Sequence, residues 1–359
     1  MKTIRVSLAS QSYPIWVDNG LLNSLPQLFA PMNQGQNWVI FSQDEIYQKF
    51  GIDLEIILKK NGFNVSFILI PNGEEAKSLI EMGKLFSKLL QLNCDRSSTF
   101  LALGGGVVGD LTGFMAAIFM RGVDYIQIPT TLLAMVDSSI GGKTGINLCE
   151  GKNLIGAFWQ PKAVVVDPLL LNTLPKREFT SAMGEIIKYG AILDKKLFMK
   201  VVDNLDDLLN ADDSELISDI IVNCAEIKSK IVVEDEKENG KRKILNFGHT
   251  IGHALETCFG FEKIRHGEAV SYGMLLASRL SLKFSGLNQK SHELLADTIG
   301  RLPLPDLPKL NNEKILSILS NDKKNKNGKY GFILLNEIGS AVIKDEVDKK
   351  SIINVLEEL

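Results

Sequence analysis

This chain is poor in cysteine and histidine, and it has no excess of positive charge. Its four cysteines, Cys94, Cys149, Cys224 and Cys258, make no CxxC pair and no disulfide-like spacing. That excludes a disulfide scaffold and a cysteine-rich zinc module. It fits a reducing compartment, so the cytoplasm is the expected location. A formal net charge of -3 gives no electrostatic case for nucleic acid, and no basic cluster marks a phosphate-backbone track. No apolar stretch reaches the length of a membrane span without charge. Met1-Lys2-Thr3-Ile4-Arg5-Val6 alternates like a strand and lacks the apolar core of a signal peptide. Neither nucleic acid nor a membrane is therefore an expected partner.

What is present is ordinary in amount and particular in arrangement. Hydrophobic residues make up 45% and charged residues 23%, as in a globular protein. At 359 residues the chain is too long for one small core, so two domains are expected. Short apolar runs at 38–41, 65–70, 99–103, 125–128 and 163–167 read as strands. Helical patterns separate them, such as Leu79, Met82, Leu85, Phe86 and Leu89. That alternation predicts a parallel sheet covered on both faces. After about Pro168 the pattern changes, and from Lys176 to about Ser320 most segments carry a 3.6 period. Asp213 or Ser214 is a candidate N-cap for one of those helices. The expected organisation is an α/β domain over 1–172 and a mainly helical domain over 173–359. Runs at 330–335 and 341–343 flank Gly339 as a hairpin would, the polar run 322–329 reads as a surface loop, and the last segment reads as an amphipathic helix.

Three polar turns follow strands. Gly104, Gly106 and Gly109 satisfy G-x-G-x-x-G after the run 99–103, where backbone N–H groups can approach a pyrophosphate at a helix N-terminus. The match departs from the usual fingerprint. It follows a later strand than the first, and no clear strand-end acid lies about twenty residues on. Asp110 is either an N-terminal helix charge or a cofactor contact. The turns Asn72-Gly73-Glu74-Glu75-Ala76-Lys77 and Pro129-Thr130-Thr131 accompany it. Further on, Asp137-Ser138-Ser139-Ile140-Gly141-Gly142-Lys143-Thr144 sets a lysine after two glycines, but Asp137 stands where a triphosphatase loop needs glycine. Arg121, Lys143, Lys152, Lys188, Lys228 and Arg242 are candidate cations around an anionic substrate.

Three of the four histidines, His249, His253 and His266, fall in one short stretch, downstream of Glu185. One carboxylate and two imidazoles leave a metal an open position for substrate, which a catalytic site requires. His249 and His253 at i and i+4 share a helix face and offer one ligand pair. Glu185, His249 and His266 offer another set, which leaves His253 as an acid, base or donor. Spacing does not decide between them. Glu268, two residues after His266, suits an orienting role better than ligation.

Over nearly its whole length the chain resembles the 3-dehydroquinate synthases among the sugar-phosphate cyclases. The resemblance rests on Gly105-Gly106-Val107-Val108-Gly109-Asp110, on the run from Pro129 to Lys143, on Glu185-Ile186-Ile187-Lys188, and on Asn246-Phe247-Gly248-His249-Thr250-Ile251-Gly252-His253. It implies a Rossmann-like parallel-sheet domain followed by a mainly helical metal-binding domain, with NAD and Zn²⁺ or Co²⁺ as cofactors and a homodimer as the assembly. It implies that Glu185, His249 and His266 hold the metal. NAD contacts would fall on Asn72, Gly73, Glu74, Glu75, Ala76, Lys77, Gly105, Gly106, Val107, Val108, Gly109, Asp110, Thr130, Thr131, Lys143, Lys152, Leu170, Leu171, Asn172, Thr173 and Glu178. Catalytic roles would fall on Asp137, Lys152, Asn153, Lys188, Glu238 and His253. Substrate contacts would fall on Arg121, Lys228, Arg242, Asn246 and Lys323 or Lys324. The implied substrate is 3-deoxy-D-arabino-heptulosonate 7-phosphate, a small sugar phosphate of the shikimate pathway. The implied reaction is transient oxidation by NAD⁺, β-elimination of phosphate, return of the hydride and intramolecular aldol closure.

Three other readings compete. A sibling cyclase acting on a substrate without a carboxylate would leave Lys228 and Arg242 unpaired at that end. A metal-dependent polyol dehydrogenase would have no use for phosphate-facing Arg121, Lys152 and Asn153. A dinucleotide-binding module without chemistry would not need Glu185, His249, His266 and Lys188 together.

Overall fold

A computed structural model describes residues 1–9, 11–211, 213–260, 263–307, 311–320 and 329–357. Lys323 and Lys324, and most of the polar run around them, lie outside the described residues. Among the described residues of the first half, nine strands form: β1 (Lys2–Ser7), β2 (Ser12–Val17), β3 (Asn37–Gln43), β4 (Asn64–Ile70), β5 (Thr99–Gly104), β6 (Asp124–Pro129), β7 (Lys143–Leu148), β8 (Gly151–Phe158) and β9 (Ala163–Val166). The helices that matter below are α1 (Leu79–Gln91), α2 (Gly106–Ile118), α3 (Lys176–Leu193), α4 (Ser214–Glu234), α5 (His249–Phe259) and α6 (His266–Phe284).

Contacts divide the chain into two compact units. One comprises Met1–Leu174 with Ser214–Lys237, and the other Pro175–Asp213 with Glu238–Leu359. A single cut near residue 172 therefore does not describe the partition. Helix α4 lies beyond that cut in sequence but packs on β1 and on the π-helical turn Ala134–Ser138 of the first unit. Its buried residues Ile217, Ile220, Ile221 and Val232 give it an apolar face. Periodicity reports that face and says nothing about which surface covers it.

The first unit is a seven-stranded sheet in the order β1-β2-β9-β6-β5-β3-β4. Only the β1–β2 pair is antiparallel. β5, Thr99-Phe100-Leu101-Ala102-Leu103-Gly104, is buried at every position, which is why it reads as continuously apolar. Val39, Phe41, Phe100, Leu111 and Met115 belong to the core beside it. β3 is followed in sequence by β4 on one side and by β5 on the other, so the strand order reverses there. Open α/β sheets bind ligands at such a switch point, outside the carboxyl ends of the strands.

The ribbon of β7 and β8 went unseen in the sequence. Glycine hides it: a Cβ on Gly156 would lie 2.2 Å from the Thr144 carbonyl oxygen, and one on Gly145 would lie 2.7 Å from that of Ile155. β2 was missed because Pro14 interrupts its apolar run. Pro14 is tolerated in the antiparallel pair with the edge strand β1, opposite Arg5.

The second unit is mainly helical. A two-stranded antiparallel hairpin, β10 (Lys329–Glu337) and β11 (Ser340–Asp348), turns at Gly339 as expected, and a helix over Lys349–Leu356 ends it. Among the described residues no helix is long and apolar enough to cross a membrane.

Candidate functional site

In the second unit, glycines bring the histidines and Glu185 together. Each expected ligand has a glycine beside it: Gly184-Glu185, Gly248-His249 and His266-Gly267. A Cβ on Gly267 would sit 1.7 Å from the Ser181 carbonyl oxygen of α3, and one on Gly184 2.3 Å from the Gly267 carbonyl oxygen. The backbones of α3 and α6 thus touch beside Glu185 and His266. α6 meets α5 as closely, since a Cβ on Gly273 would lie 1.9 Å from the Gly248 carbonyl oxygen. Two charge pairs secure the α3–α6 crossing. Arg177 spans both oxygens of buried Glu268 at 2.8 and 2.9 Å, and Arg265 lies 3.0 Å from Glu178. Glu268 also accepts from the Arg265 N–H and so orients the start of α6, the role its position suggested.

The result is one converging set. Glu185 Oε1 lies 3.4 Å from His249 Nε2 and 3.5 Å from His266 Nε2. Its other oxygen, Oε2, accepts from the Lys188 ammonium one turn along α3. Glu185 and Lys188 are both buried. The ligand atoms of His249, His253 and His266 all lie within 4.8 Å of one another.

The far side of each ring is occupied too. His249 Nδ1 is 3.1 Å from the Phe247 carbonyl oxygen. A carbonyl can only accept, so Nδ1 carries the proton and Nε2 offers its lone pair. Burial, reinforced by Lys188 and the two other histidines, holds His249 well below the usual imidazole range and therefore neutral. His266 Nδ1 faces Glu256 Oε2 at 3.1 Å. Burial alone would lower His266. Hydrogen bonds to Glu185 and Glu256 outweigh it and push the ring up to about 10. Two imidazole nitrogens and a carboxylate oxygen, backed by a carbonyl and a second carboxylate, are the donors a divalent metal takes. Sequence reasoning missed Glu256. Its signal was present: seven residues after His249, it lies on the same face of α5.

The same unit holds Arg242, buried in the turn Lys241–Asn246, and Asn246, whose amide donates to Glu238 at 2.7 Å. Glu238 has a left-handed backbone, φ 57.

In the first unit the three polar turns lie at the carboxyl ends of parallel strands, those after β5 and β6 on adjacent strands and that after β4 beyond β3. Gly105 is the N-cap of α2, and the Thr130 N–H bonds the Gly104 carbonyl oxygen, which joins the turns after β5 and β6. A Cβ on Gly105 would stand 3.0 Å from Thr131 Cγ2. The turn after β4 reaches the same place through Lys77, which is buried and lies 2.7 Å from Asp110 Oδ2 and 3.5 Å from Glu74 Oε1. Burial would lower the Lys77 ammonium, but Asp110 and Glu74 outweigh it and hold it above its ordinary value. Burial also raises the Asp110 carboxyl against the pull of Lys77. With so close a protonated partner, we read the pair as ionic.

Lys77 also donates to Asn153 Oδ1 at 2.5 Å. Lys228 on α4 donates to the Asp137 backbone carbonyl at 2.7 Å and to its carboxylate at 2.5 Å. Asp137 sits on a π-helical turn, a feature frequent at functional sites. Arg121 lies on an exposed turn where Met120, Arg121 and Gly122 all have positive φ. The Leu170 and Leu171 side chains are buried, while Asn172 and Thr173 are exposed.

Comparison with known proteins shows the family. Residues 67–181 match the family model described as 3-dehydroquinate synthase N-terminal, and residues 182–325 the one described as 3-dehydroquinate synthase C-terminal. A 3-dehydroquinate synthase of Rippkaea orientalis is 45% identical, covering 98% of this chain and 97% of that protein. One of Clostridium acetobutylicum is 41% identical, with 98% of each covered. Among solved structures, a 2-deoxy-scyllo-inosose synthase complexed with carbaglucose-6-phosphate, NAD⁺ and Co²⁺ superposes with a TM-score of 0.89 at 27% identity over 99% of both chains. A 2-epi-5-epi-valiolone synthase from Streptomyces hygroscopicus with NAD⁺ and Zn²⁺ bound gives 0.89 at 25%, covering 98% of each. A glycerol dehydrogenase from Schizosaccharomyces pombe, at 16% identity and a TM-score of 0.67, shares the fold. The chain therefore belongs to the 3-dehydroquinate synthase family.

Proposed function

We propose that this chain converts 3-deoxy-D-arabino-heptulosonate 7-phosphate to 3-dehydroquinate and inorganic phosphate, as a carbon–oxygen lyase. The observation that carries the proposal is the convergence of Glu185 with His249 and His266, in a chain 45% identical over nearly its whole length to a 3-dehydroquinate synthase. In this reading bound NAD⁺ would supply a reversible hydride acceptor, and Zn²⁺ or Co²⁺ would supply Lewis acidity.

The protein's own groups bind, orient and move protons. Glu185 Oε1, His249 Nε2 and His266 Nε2 would hold the metal, because the opposite edges of both rings are already engaged. Lys188 neutralises the second oxygen of Glu185 and keeps that carboxylate from rotating away. Exposed His253, with its ring centroid 5.3 Å from that of His249, serves as the proton carrier through an imidazole nitrogen. The Gly105-Gly106-Val107-Val108-Gly109-Asp110 turn and the Thr130-Thr131 turn cradle the NAD pyrophosphate, with Glu74, Lys77, Lys143 and Thr173 of the same unit as further contacts. Arg121, Lys152 and Asn153 receive the substrate phosphate. Lys228, directed by Asp137, is the first unit's cation for an anionic group of the substrate, and in the second unit Arg242 and Asn246, the latter directed by Glu238, are the groups offered to substrate. The reading carries with it a cytoplasmic homodimer.

The test is to incubate the metal-loaded protein with this substrate and NAD⁺ while following inorganic phosphate and absorbance at the NADH band. Phosphate release without lasting NADH is expected. Steady NADH growth would make the chain a dehydrogenase, and absence of phosphate would redirect the search to another sugar phosphate.

A further inference from the structure

Asn147 uses three polar groups to join segments far apart in sequence. Its backbone N–H donates to the Lys77 carbonyl at 2.8 Å. Its Nδ2 donates to Glu74 Oε1 at 2.8 Å. Its Oδ1 accepts the Asn153 N–H at 2.9 Å. The β7–β8 ladder makes this possible: its register breaks between Ile146 and Leu148, so Asn147 occupies the irregularity and its N–H turns to another segment. Such bulges re-aim a side chain next to a site. Asn153, opposite, has φ 53, a left-handed conformation that asparagine tolerates better than most residues. Its N–H is tied to Asn147 and its Oδ1 to Lys77, so the side-chain group it can present to a ligand is Nδ2.

We propose that Asn147 is a positioning residue that locks the cofactor-side turn Glu74–Lys77 to the substrate-side residue Asn153. The ligand names rest on the function proposed above. Asn147 acts through Glu74 and Asn153, and each side-chain atom has its own task. Nδ2 fixes the direction of the Glu74 carboxylate. Oδ1 holds the Asn153 backbone in its left-handed state.

The two arms are separable. Asn147→Ala removes both. Asn147→Asp keeps an acceptor for the Asn153 N–H but sets a carboxylate against that of Glu74. We therefore expect Asn147→Ala to raise both the Kd for NAD⁺ and the KM for the sugar phosphate. Asn147→Asp should raise the NAD⁺ Kd by about tenfold, as contacting residues couple, with a smaller change in KM. In a Glu74→Gln background the polarity of the hydrogen bond reverses, so adding Asn147→Asp should cost NAD⁺ affinity little. A merely structural asparagine would lower Tm and shift both constants together, whatever residue stands at 74. The measurements are NAD⁺ titration by calorimetry and steady-state kinetics on the four variants. Asn147→Asp is close to isosteric and remains informative where Asn147→Ala does not fold. Equal NAD⁺ penalties in the two backgrounds, or unchanged constants in both single variants, would overturn the inference while leaving the functional reading intact. Failure of the unsubstituted chain to bind NAD⁺ would overturn both.

Discussion

Gly267→Ala is the sharpest test of how the candidate metal centre is built. The added Cβ would lie 1.7 Å from the Ser181 carbonyl oxygen, and the neighbour is backbone, which cannot rotate aside. An ordinary contact needs roughly 3.4 Å, so α3 and α6 must part locally by about 1.7 Å. Glu185 rides on α3 and His266 on α6, with their facing atoms 3.5 Å apart. A zinc or cobalt site takes its ligands at about 2.0–2.2 Å and tolerates about 0.2 Å. The required separation is several times that tolerance, so one ligand must let go. We expect metal affinity to fall by about 100-fold or more, beyond what loss of an outer partner costs. Stability should fall by about 1–3 kcal/mol, the cost of overpacking. Competition with a chelator of known affinity reads the first, and denaturant unfolding of the metal-free protein reads the second. Gly83→Ala is the control. Gly83 lies inside α1 with nothing within 4 Å of its added Cβ, so this substitution should stabilise by about 0.5–1 kcal/mol and leave metal binding alone. If Gly267→Ala binds metal as tightly as the unsubstituted chain, close helix approach is not what assembles these ligands.

Three further outcomes are expected. His249→Ala should abolish metal binding and turnover while NAD⁺ still binds, because His249 and the glycine turn lie in separate units; equilibrium dialysis of metal alongside NAD⁺ titration checks this, and full activity in the metal-depleted variant would refute it. Glu256→Gln should weaken metal binding by about 10–100-fold and lower the His266 titration seen by NMR in the metal-free chain; an unmoved imidazole resonance would mean that Glu256 does not orient His266. Metal uptake near pH 8 should release about one proton, since His266 is held up to about 10 while His249 is already neutral. Calorimetry in buffers of different ionisation enthalpy counts it. The sign for stability follows from the same ring. The folded value of His266 exceeds the unfolded one, so its contribution to the metal-free chain is complete below about pH 6.5 and is lost as pH rises towards 10. Unfolding midpoints that rise over that window would contradict it.

Much of the architecture was legible because its causes are local. Five apolar runs became β3, β4, β5, β6 and β9; the four inner strands are buried on both faces and carry an unbroken apolar signal, while the edge strand β4 is only partly buried, with Phe67 exposed. The helix beginning at Ser214, beside the candidate caps Asp213 and Ser214, and the hairpin turn at Gly339 were legible from local sequence. The residue types of the candidate site were legible too, because Glu185 and the clustered histidines are rare groups in apolar or glycine-rich surroundings. Position in the chain could not say that α4 packs with the first unit, because its apolar stripe would suit either surface. Nor could it reveal β7 and β8, whose glycines and polar residues are chosen for close backbone contact rather than alternation. Glu256 and Asn147 escaped for a related reason. Each acts through a hydrogen bond to another side chain; Glu256 shares a helix face with His249, but spacing along α5 does not reveal that it meets His266, and Asn147 sits in a ladder irregularity that follows no period. The sequence by itself determined the inner parallel strands, the helical second half and the residue types that carry the chemistry. Only the tertiary structure decided that Glu185 faces His249 and His266 within 3.5 Å, because that spacing depends on helices crossing at glycines far apart in the chain.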